Sequence, residues 1–169
     1  MQAAKDSFYI ALRDRLAALN PQRTITLAGD TRPAIVVVEN TGLGATEVAQ
    51  KAPVADCFCL RFGAVRQVDG FAGVRRPLMT MECAIAYRTS GPASDASDRG
   101  RALAALSGEL MAICAPPATP KLDYTQTPVV ELGSTVSWEA PQFGAVDDAG
   151  NSIGCEARMT LFFFPEVNG

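Results

Sequence analysis

Apolar and polar positions alternate most regularly between Met79 and Tyr87, where the larger or more apolar side chains occupy every second position. A period of two is typical of a strand with one face in a core and the other towards solvent. The loop that follows, Thr89 to Ser97, is rich in small turn residues that end a strand. The pattern therefore predicts a half-buried strand that leads through a loop into a different element.

Two segments instead repeat their apolar residues every three or four positions, as an amphipathic helix does. In the first helix, predicted to begin at a cap on Asp6 or Ser7 and to end at Asn20-Pro21, the apolar residues are Phe8, Leu12, Leu16 and Leu19. In the second, predicted over 98–114, they are Leu103, Leu106, Leu110 and Ile113. Its opposite, polar face is expected to carry Arg99, Arg101, Ser107 and Glu109.

The remaining periodic segments predict strands. Thr24 to Leu27 is a short strand, and the β-branched run from Ala34 to Glu39 favours a central strand covered on both faces. Cys57 to Val65 alternates, with Phe58, Leu60, Phe62 and Ala64 on one side, and is expected to pair with the strand from Met79 as a hairpin. Shorter strands are predicted near 121–125, 128–132 and 135–138, and a turn at 147–151.

The last strand, Cys155 to Phe164, alternates and then carries three phenylalanines, Phe162 to Phe164. Large apolar groups on both faces require cover on both sides, so this strand is either central or in contact with another subunit. We favour burial within the sheet.

This order of elements predicts an α+β fold, with an antiparallel or mixed sheet and two α-helices packed on one face. The length of 169 residues fits a single domain over 1–169. The stretch at about 40–56 has no sustained period, so we expect a long loop there, either a surface arm that contacts a neighbour or an insertion without a partner.

Composition narrows the possible chemistry. The chain has no histidine, which excludes Ser-His-Asp catalysis and histidine-ligated zinc. The net charge of -3, without a basic run, argues against a dedicated nucleic-acid binder. The five cysteines are an odd number and fall mostly in apolar patterns, which predicts buried free thiols in a chain made in the cytoplasm. No apolar run of membrane-spanning length occurs, so we expect no membrane partner.

The remaining candidate sites are weak. Cys57-Phe-Cys59 has metal-like spacing but lacks a second pair of ligands, and no glycine-rich phosphate motif is present. Two short basic clusters, Arg75-Arg76 and Arg99-Gly-Arg101, could meet phosphates, but such arginines more often bridge subunits or face water. The carboxylates weighed for acid/base chemistry are Asp123, Glu131, Glu139, Asp147 and Asp148. Because each falls on a predicted solvated strand face or turn, we predict no catalytic, cofactor-binding or metal site, and no enzyme.

The arrangement resembles the tail terminator, or tail completion, proteins of long-tailed bacteriophages. The matching features are the opening helix Phe8 to Leu19, the strand Pro77 to Arg88, the helix after a Ser/Asp/Gly loop, the strand near Trp138 and the apolar closing strand Met159 to Phe164. The match covers nearly the whole chain and rests on element order and size. The long stretch Thr41 to Asp56 departs from the smallest family members.

The resemblance implies a structural virion protein that forms a ring, expected to be a homohexamer, on the end of the tail tube. Such a ring stops tube polymerisation and joins the tail to the head connector. The implied partners are further copies of the chain, the tail tube protein and the head–tail connector, with phage DNA passing only through the lumen. The implied location is the tail or neck of the virion, after assembly in the host cytoplasm.

Three alternatives stay open. In the first, the chain is another ring protein of the same particle, from the neck, the connector or the tail tube. It is a small carboxylate-dependent enzyme, which requires a deep pocket with convergent acids. Or it is a nucleic-acid-binding module, whose DNA affinity would fall steeply with salt.

Overall fold

A computed structural model of the chain describes residues 1–40, 54–68, 77–89, 96–115, 122–123, 128, 130–131, 136–150 and 152–165. These residues form two helices and a mixed β-sheet, which confirms the predicted α+β fold. The helices are α1 (Gln2–Leu19) and α2 (Ala96–Cys114). The strands are β1 (Thr24–Leu27), β2 (Asp30–Pro33), β3 (Ile35–Val37), β4 (Phe58–Gln67), β5 (Met79–Arg88), β6 (Leu122–Asp123), β7 (Val130–Glu131), β8 (Val136–Trp138), β9 (Gln142–Phe143), β10 (Asp147–Asp148) and β11 (Ile153–Phe163).

The central sheet has the order β10-β11-β5-β4-β3, and β8 and β9 also pair with β11. All of its pairs are antiparallel except β3 with β4. β8, β9 and β10 pair in turn along one side of β11, at Leu161–Phe163, Ala157–Arg158 and Ile153–Gly154. Three short pieces therefore form one interrupted edge strand, and an interrupted edge is a poor template for backbone hydrogen bonding to a strand of another chain.

Both helices pack on one face of this sheet. The core contains the apolar residues of α1 and α2 that the helical spacing predicts: Phe8, Leu12, Leu16, Leu103, Leu106, Leu110 and Ile113. They meet the alternate residues of β5 and β11: Met81, Cys83, Ile85, Tyr87, Ile153, Cys155, Ala157, Met159, Leu161 and Phe163. The predicted alternation of both strands is thus confirmed, and the helices lie on one face as expected.

A second, smaller core lies on the opposite face of the sheet, at the β3 end. It contains Cys57 and Cys59, which alternate with the inward-facing Phe58, together with Ala34 and Val36. The hairpin of β1 and β2 covers this cluster with Ile25 and Leu27. The hairpin turns at Ala28 and Gly29. Their φ angles of 52° and 89° are both positive, as in the type I′ turns whose twist matches that of the flanking strands.

Several predicted boundaries are wrong for identifiable reasons. α1 begins at Gln2 without a side-chain cap, because the chain is already helical before Asp6 and Ser7. β3 is covered on both faces, as predicted, but its partner among the described residues is β4 alone, so it is an edge strand rather than a central one.

In β4 the register with β5 shifts between Phe62 and Val65. This bulge exposes Ala64 and lets Val65 pack against the core in its place. The turn predicted at 147–151 is shorter in the structure, because Asp147–Asp148 pairs with β11 and the chain turns only after Asp148.

The C-terminal end of α2 is capped by side chains from distant elements. Arg15 donates hydrogen bonds to the carbonyl oxygens of Ile113 (2.8 Å) and Ala115 (2.6 Å). Trp138 Nε1 donates to the carbonyl of Cys114 at 3.2 Å. Because the last carbonyls of a helix lack partners within it, these bonds fix α2 against α1 and β8.

Candidate interaction surfaces

The face of the sheet opposite the helices carries an ordered network of charges. Arg61 on β4 and Arg158 on β11 lie in one row across the sheet, on either side of Ala84. Arg61 lies 3.4 Å from the Glu156 carboxylate, and Arg158 lies 3.1 Å from Glu156 and 3.7 Å from Glu82. We call these four charged residues and Ala84 the open face.

The open face is a shallow surface. Together with Phe62 and Gly63, its five residues line a hollow of about 270 Å³. A second hollow of about 360 Å³ lies beside it, where Glu156 and Arg158 meet Gln142–Ala145. The side chains of Glu82 and Arg158 are 58% and 61% exposed, so they are available to a partner without rearrangement of the core.

The interrupted edge beside the open face exposes apolar groups. Phe143 is 36% exposed and Val146 is 61% exposed.

Of the three closing phenylalanines, Phe163 lies in the core, Phe162 is half-buried and Phe164 is exposed. β11 lies inside the sheet, as favoured, with β5 on one side and β8, β9 and β10 on the other. The expectation that both of its faces are covered is wrong at Phe164, because the helices cover only the face on which Phe163 lies.

α2 presents an unusual surface to solvent. After Arg101, its exposed residues are Ala104, Ala105, Gly108, Met111 and Ala112, and none of them is charged or polar. Met111 is 57% exposed. We call this set the outer face of α2. A solvent-facing helix surface is ordinarily polar, so this face differs from that of a typical surface helix.

The polar residues predicted for this face point elsewhere. Arg99 donates to the carbonyl of Gly150 at 2.6 Å, and its side chain is only 11% exposed. Ser107 accepts a hydrogen bond of 2.8 Å from the hydroxyl of Tyr87 and donates to the helix carbonyl of Leu103. Of the four residues named for the polar face, Arg101 is the one that the structure leaves exposed, beside Asp98 at 3.1 Å.

Glu109, the fourth of these residues, joins α2 to the segment after α1. Its carboxylate accepts hydrogen bonds from Arg23 Nε, from Arg23 Nη2 at 3.1 Å and from Asn20 Nδ2 at 2.7 Å. The side chains of Arg23 and Glu109 are 19% and 17% exposed. This partly buried ion pair therefore stabilises the packing of the two helices and is not available to a partner.

All five cysteines are buried and free, as predicted. Burial raises the pKa of the Cys83 and Cys114 thiols above their ordinary range. The pKa of Cys57 is also raised, by its hydrogen bond with Cys59 and by burial. Within the described part of the chain, no three His, Cys, Asp or Glu side chains are grouped closely enough to hold a metal ion.

The candidate carboxylates lie in two parts of the structure. Glu139, Asp147 and Asp148 are exposed, and Asp148 accepts a hydrogen bond from the Gly150 amide at 2.8 Å within a turn. Asp123 and Glu131 belong to the separate two-stranded sheet of β6 and β7. Among the described side chains, no group of three acids converges as the enzyme alternative would require.

Several segments that the sequence analysis singled out fall outside the described residues. These are Arg75-Arg76, residues 41–53 of the long stretch and residues 90–95 of the loop before α2. Where the structure does describe the chain, it contains no helix long and apolar enough to cross a bilayer.

The sequence contained signals for both surfaces. Charges at the even positions of β5 and β11 indicated a polar sheet face, although only the strand order brings Arg61 into the same network. The run of Ala and Gly in α2 was visible as well, but the polar residues beside it suggested an ordinary solvated face.

No protein-family model matches the chain. No curated protein matches it either.

Proposed function

We propose that the chain is a structural subunit of a long-tailed phage that forms a ring, with six copies, on the end of the tail tube. The ring stops tube polymerisation and joins the tail to the head connector, and DNA passes through its lumen. The observation that carries this proposal is the open face, a shallow charged surface on a sheet whose other face is covered by helices.

A closed ring also needs a second, different patch on each subunit, because each copy contacts its two neighbours through unlike surfaces. The interrupted edge offers such a patch, since Phe143 and Val146 are exposed there beside the hollow that contains Glu156 and Arg158. A charged face next to an exposed apolar edge fits a contact that forms on assembly and is specific in its register.

The proposal is tested by electron microscopy and mass measurement of the purified chain, alone and mixed with tail tubes. We expect discrete rings of about six copies at tube ends. A chain that stays monomeric at high concentration and does not bind tube ends contradicts the proposal. Rings that form but bind to the connector or stack into tubes instead would identify the chain as another ring protein of the same particle.

Charge reversal then locates the contact. Arg158→Glu places three acidic side chains around one another on the open face and is expected to abolish binding to tube ends. Arg101→Glu is the matched control, because Arg101 is also an exposed arginine but lies on α2, on the other side of the sheet. Equal loss in both variants would assign the effect to net charge rather than to the open face.

A further inference from the structure

The smaller core contains a pair of thiols that the proposed ring does not use. Cys57 immediately precedes β4 and Cys59 is the second residue of that strand, whereas Phe58 between them points into the larger core. The two cysteine side chains therefore lie side by side on the opposite face of the sheet. Their thiols are hydrogen-bonded to each other and both are buried, so they form one site beneath the hairpin of β1 and β2.

Arg32 faces this thiol pair from the hairpin. It is the Cα partner of Ile25 on β1, and residues directly opposite each other in an antiparallel pair share a face. Because Ile25 packs on the cluster that contains the thiols, Arg32 also lies on the inner face of the hairpin. Its Nε atom is buried and has no hydrogen-bond partner among the described residues. A buried donor of this kind needs an explanation, because almost all such groups in folded proteins have an acceptor.

Two further arginines flank the thiol pair within the sheet. The register of β4 with β5 places Cys57 beside Arg88, whose carbonyl accepts a hydrogen bond from the amide of the preceding residue, 56. Arg61 follows Cys59 by two positions, so it lies on the same face, where it also contacts Glu156. The pKa of Cys59 is lowered by its hydrogen bond with Cys57, and the charges of Arg61 and Arg88 lower it further. The surroundings of the pair therefore favour negative charge on sulfur.

The spacing of the two cysteines suits a bridging ion better than a disulfide. Alternate residues of an extended chain have Cα atoms about 6.6 Å apart, near the upper end of the range of about 4.4 to 6.8 Å for disulfides. A disulfide would bend the chain at Phe58, which is fully buried against Tyr87. An ion with two metal–sulfur bonds of about 2.3 Å spans sulfur atoms about 4.6 Å apart. The backbone can then stay extended.

Two thiolates without a third ligand suit a soft monovalent ion. A structural zinc site needs four ligands, and no group of three His, Cys, Asp or Glu side chains occurs among the described residues. Thiolates are the ligands that favour Cu(I), which forms linear complexes with two of them. Binding of one Cu(I) ion releases both thiol protons and leaves a complex with one net negative charge. This complex would supply the acceptor that Arg32 Nε lacks.

We propose that Cys57 and Cys59 bind one Cu(I) ion between their thiolates, with Arg32 donating a hydrogen bond to one of the two sulfur atoms. The site is independent of the proposed ring, since it lies beneath the hairpin at the β3 end of the sheet. The metal enters when the hairpin opens. This hairpin has only four residues in each strand, and two-stranded hairpins are marginally stable by themselves. Because the thiols are covered, we expect slow loading and slow release of the ion.

Anaerobic titration of the full chain with Cu(I), in competition with the chelator bathocuproine disulfonate, tests the site. Native mass spectrometry counts the bound ions. We expect one ion per wild-type chain and loss of this ion in Cys57→Ser and in Cys59→Ser. The matched control is Cys155→Ser, because Cys155 is also a buried thiol on the sheet but contacts the Gly144 carbonyl at 3.4 Å. This control is expected to bind like the wild type, and circular dichroism establishes that the variants fold.

X-ray absorption of the loaded wild-type chain tests the geometry without any substitution. We expect two sulfur ligands and no nitrogen or oxygen ligand. Arg32→Met tests the hydrogen bond, and should keep both sulfur ligands while it weakens binding about tenfold to a hundredfold, as the loss of a group that supports a metal ligand does. Arg101→Met, at an exposed arginine on α2, is the matched control and should bind like the wild type.

Several results would overturn the copper site. These are a wild-type chain that binds no Cu(I) against the chelator, a Cys57→Ser chain that binds as well as the wild type, or a coordination other than two sulfur atoms. Oxidation of the two thiols to a disulfide, with no metal retained, would also overturn it. Equal affinity of Arg32→Met and the wild type would contradict the part assigned to Arg32. Cys57→Ser leaves the open face unchanged, so its binding to tube ends reports on the proposed ring alone.

Discussion

The two faces of the central sheet are built from alternate residues of the same strands, yet they are organised in opposite ways. On β11, Met159 and Leu161 are buried against the helices, whereas Glu156 and Arg158 on the other face form ion pairs across strands. The backbone hydrogen bonds of a strand are shared by both faces. The difference between the faces therefore lies in the side chains and in what covers them.

The two faces of the sheet contribute differently to the stability of the fold. Burial of apolar side chains is the dominant favourable term in folding, and the larger core lies on the helix-covered face. Exposed ion pairs contribute little to folding, about 0 to 1 kcal/mol each. Folding thus places few constraints on the side chains of the open face. Substitutions on the two faces should therefore have effects of different kinds.

The largest effect is expected for Phe8→Ala on the covered side. Phe8 is fully buried and makes edge-to-face contacts with Phe62 and Trp138, at ring-centre distances of 6.3 and 5.1 Å. Its truncation should lower the free energy of unfolding by about 3 to 5 kcal/mol, measured by urea denaturation. Phe164→Ala removes the same ring from an exposed position and should cost less than about 1 kcal/mol. Similar losses in the two variants would contradict the comparison.

A smaller effect is expected at the junction of the helices. Glu109→Ala leaves the Arg23 guanidinium and the Asn20 amide without their acceptor, which should lower the free energy of unfolding by about 1 to 3 kcal/mol. Asp98→Ala breaks an ion pair on the same helix that is well exposed, and should cost less than about 1 kcal/mol. If the two variants unfold at the same urea concentration, the partly buried pair contributes no more than the exposed one.

Alkaline pH should weaken the covered face. Because burial raises the pKa of Cys83 and Cys114 above the ordinary value of about 9, the unfolded chain loses these protons at a lower pH than the folded chain does. Their contribution to stability is complete below pH 9 and decreases as pH rises above it. Urea midpoints measured from pH 7 to 10 should fall above pH 9, and less so in a Cys83→Ala, Cys114→Ala double variant. An identical pH dependence in that variant would contradict this assignment.

The smallest effect on folding is expected on the open face. Arg158→Ala removes an exposed ion pair with Glu82 and a pair with Glu156, which keeps its contact with Arg61, and should change the free energy of unfolding by about 1 kcal/mol or less in the same urea assay. Ala84→Ser, in the same row of the open face, provides a control that preserves the charges. A loss of unfolding free energy comparable with that of Phe8→Ala would show that the open face also contributes substantially to the stability of the fold.

Much of the fold could be predicted because its signals are local. The period of two in β5 and β11 and the helical spacing of the core leucines indicate the buried residues directly. The edge position of β3 and the bulge in β4 could not be predicted in this way, since both depend on which strand pairs with which. The candidate surfaces were only partly predictable, because Arg61 joins Glu156 across 95 residues of sequence.

The sequence by itself determined the class of the fold, the burial of its cysteines and the absence of histidine chemistry, because periodicity and composition suffice for these. Only the tertiary structure decided which side of α2 is polar. Glu109 is turned inward by Arg23, which is 86 residues away, and Arg99 by the carbonyl of Gly150. The long polar side chains of α2 reach hydrogen-bond partners on other elements of the fold. The residues of the outer face of α2 have no polar group with which to form such bonds, and they remain at the surface.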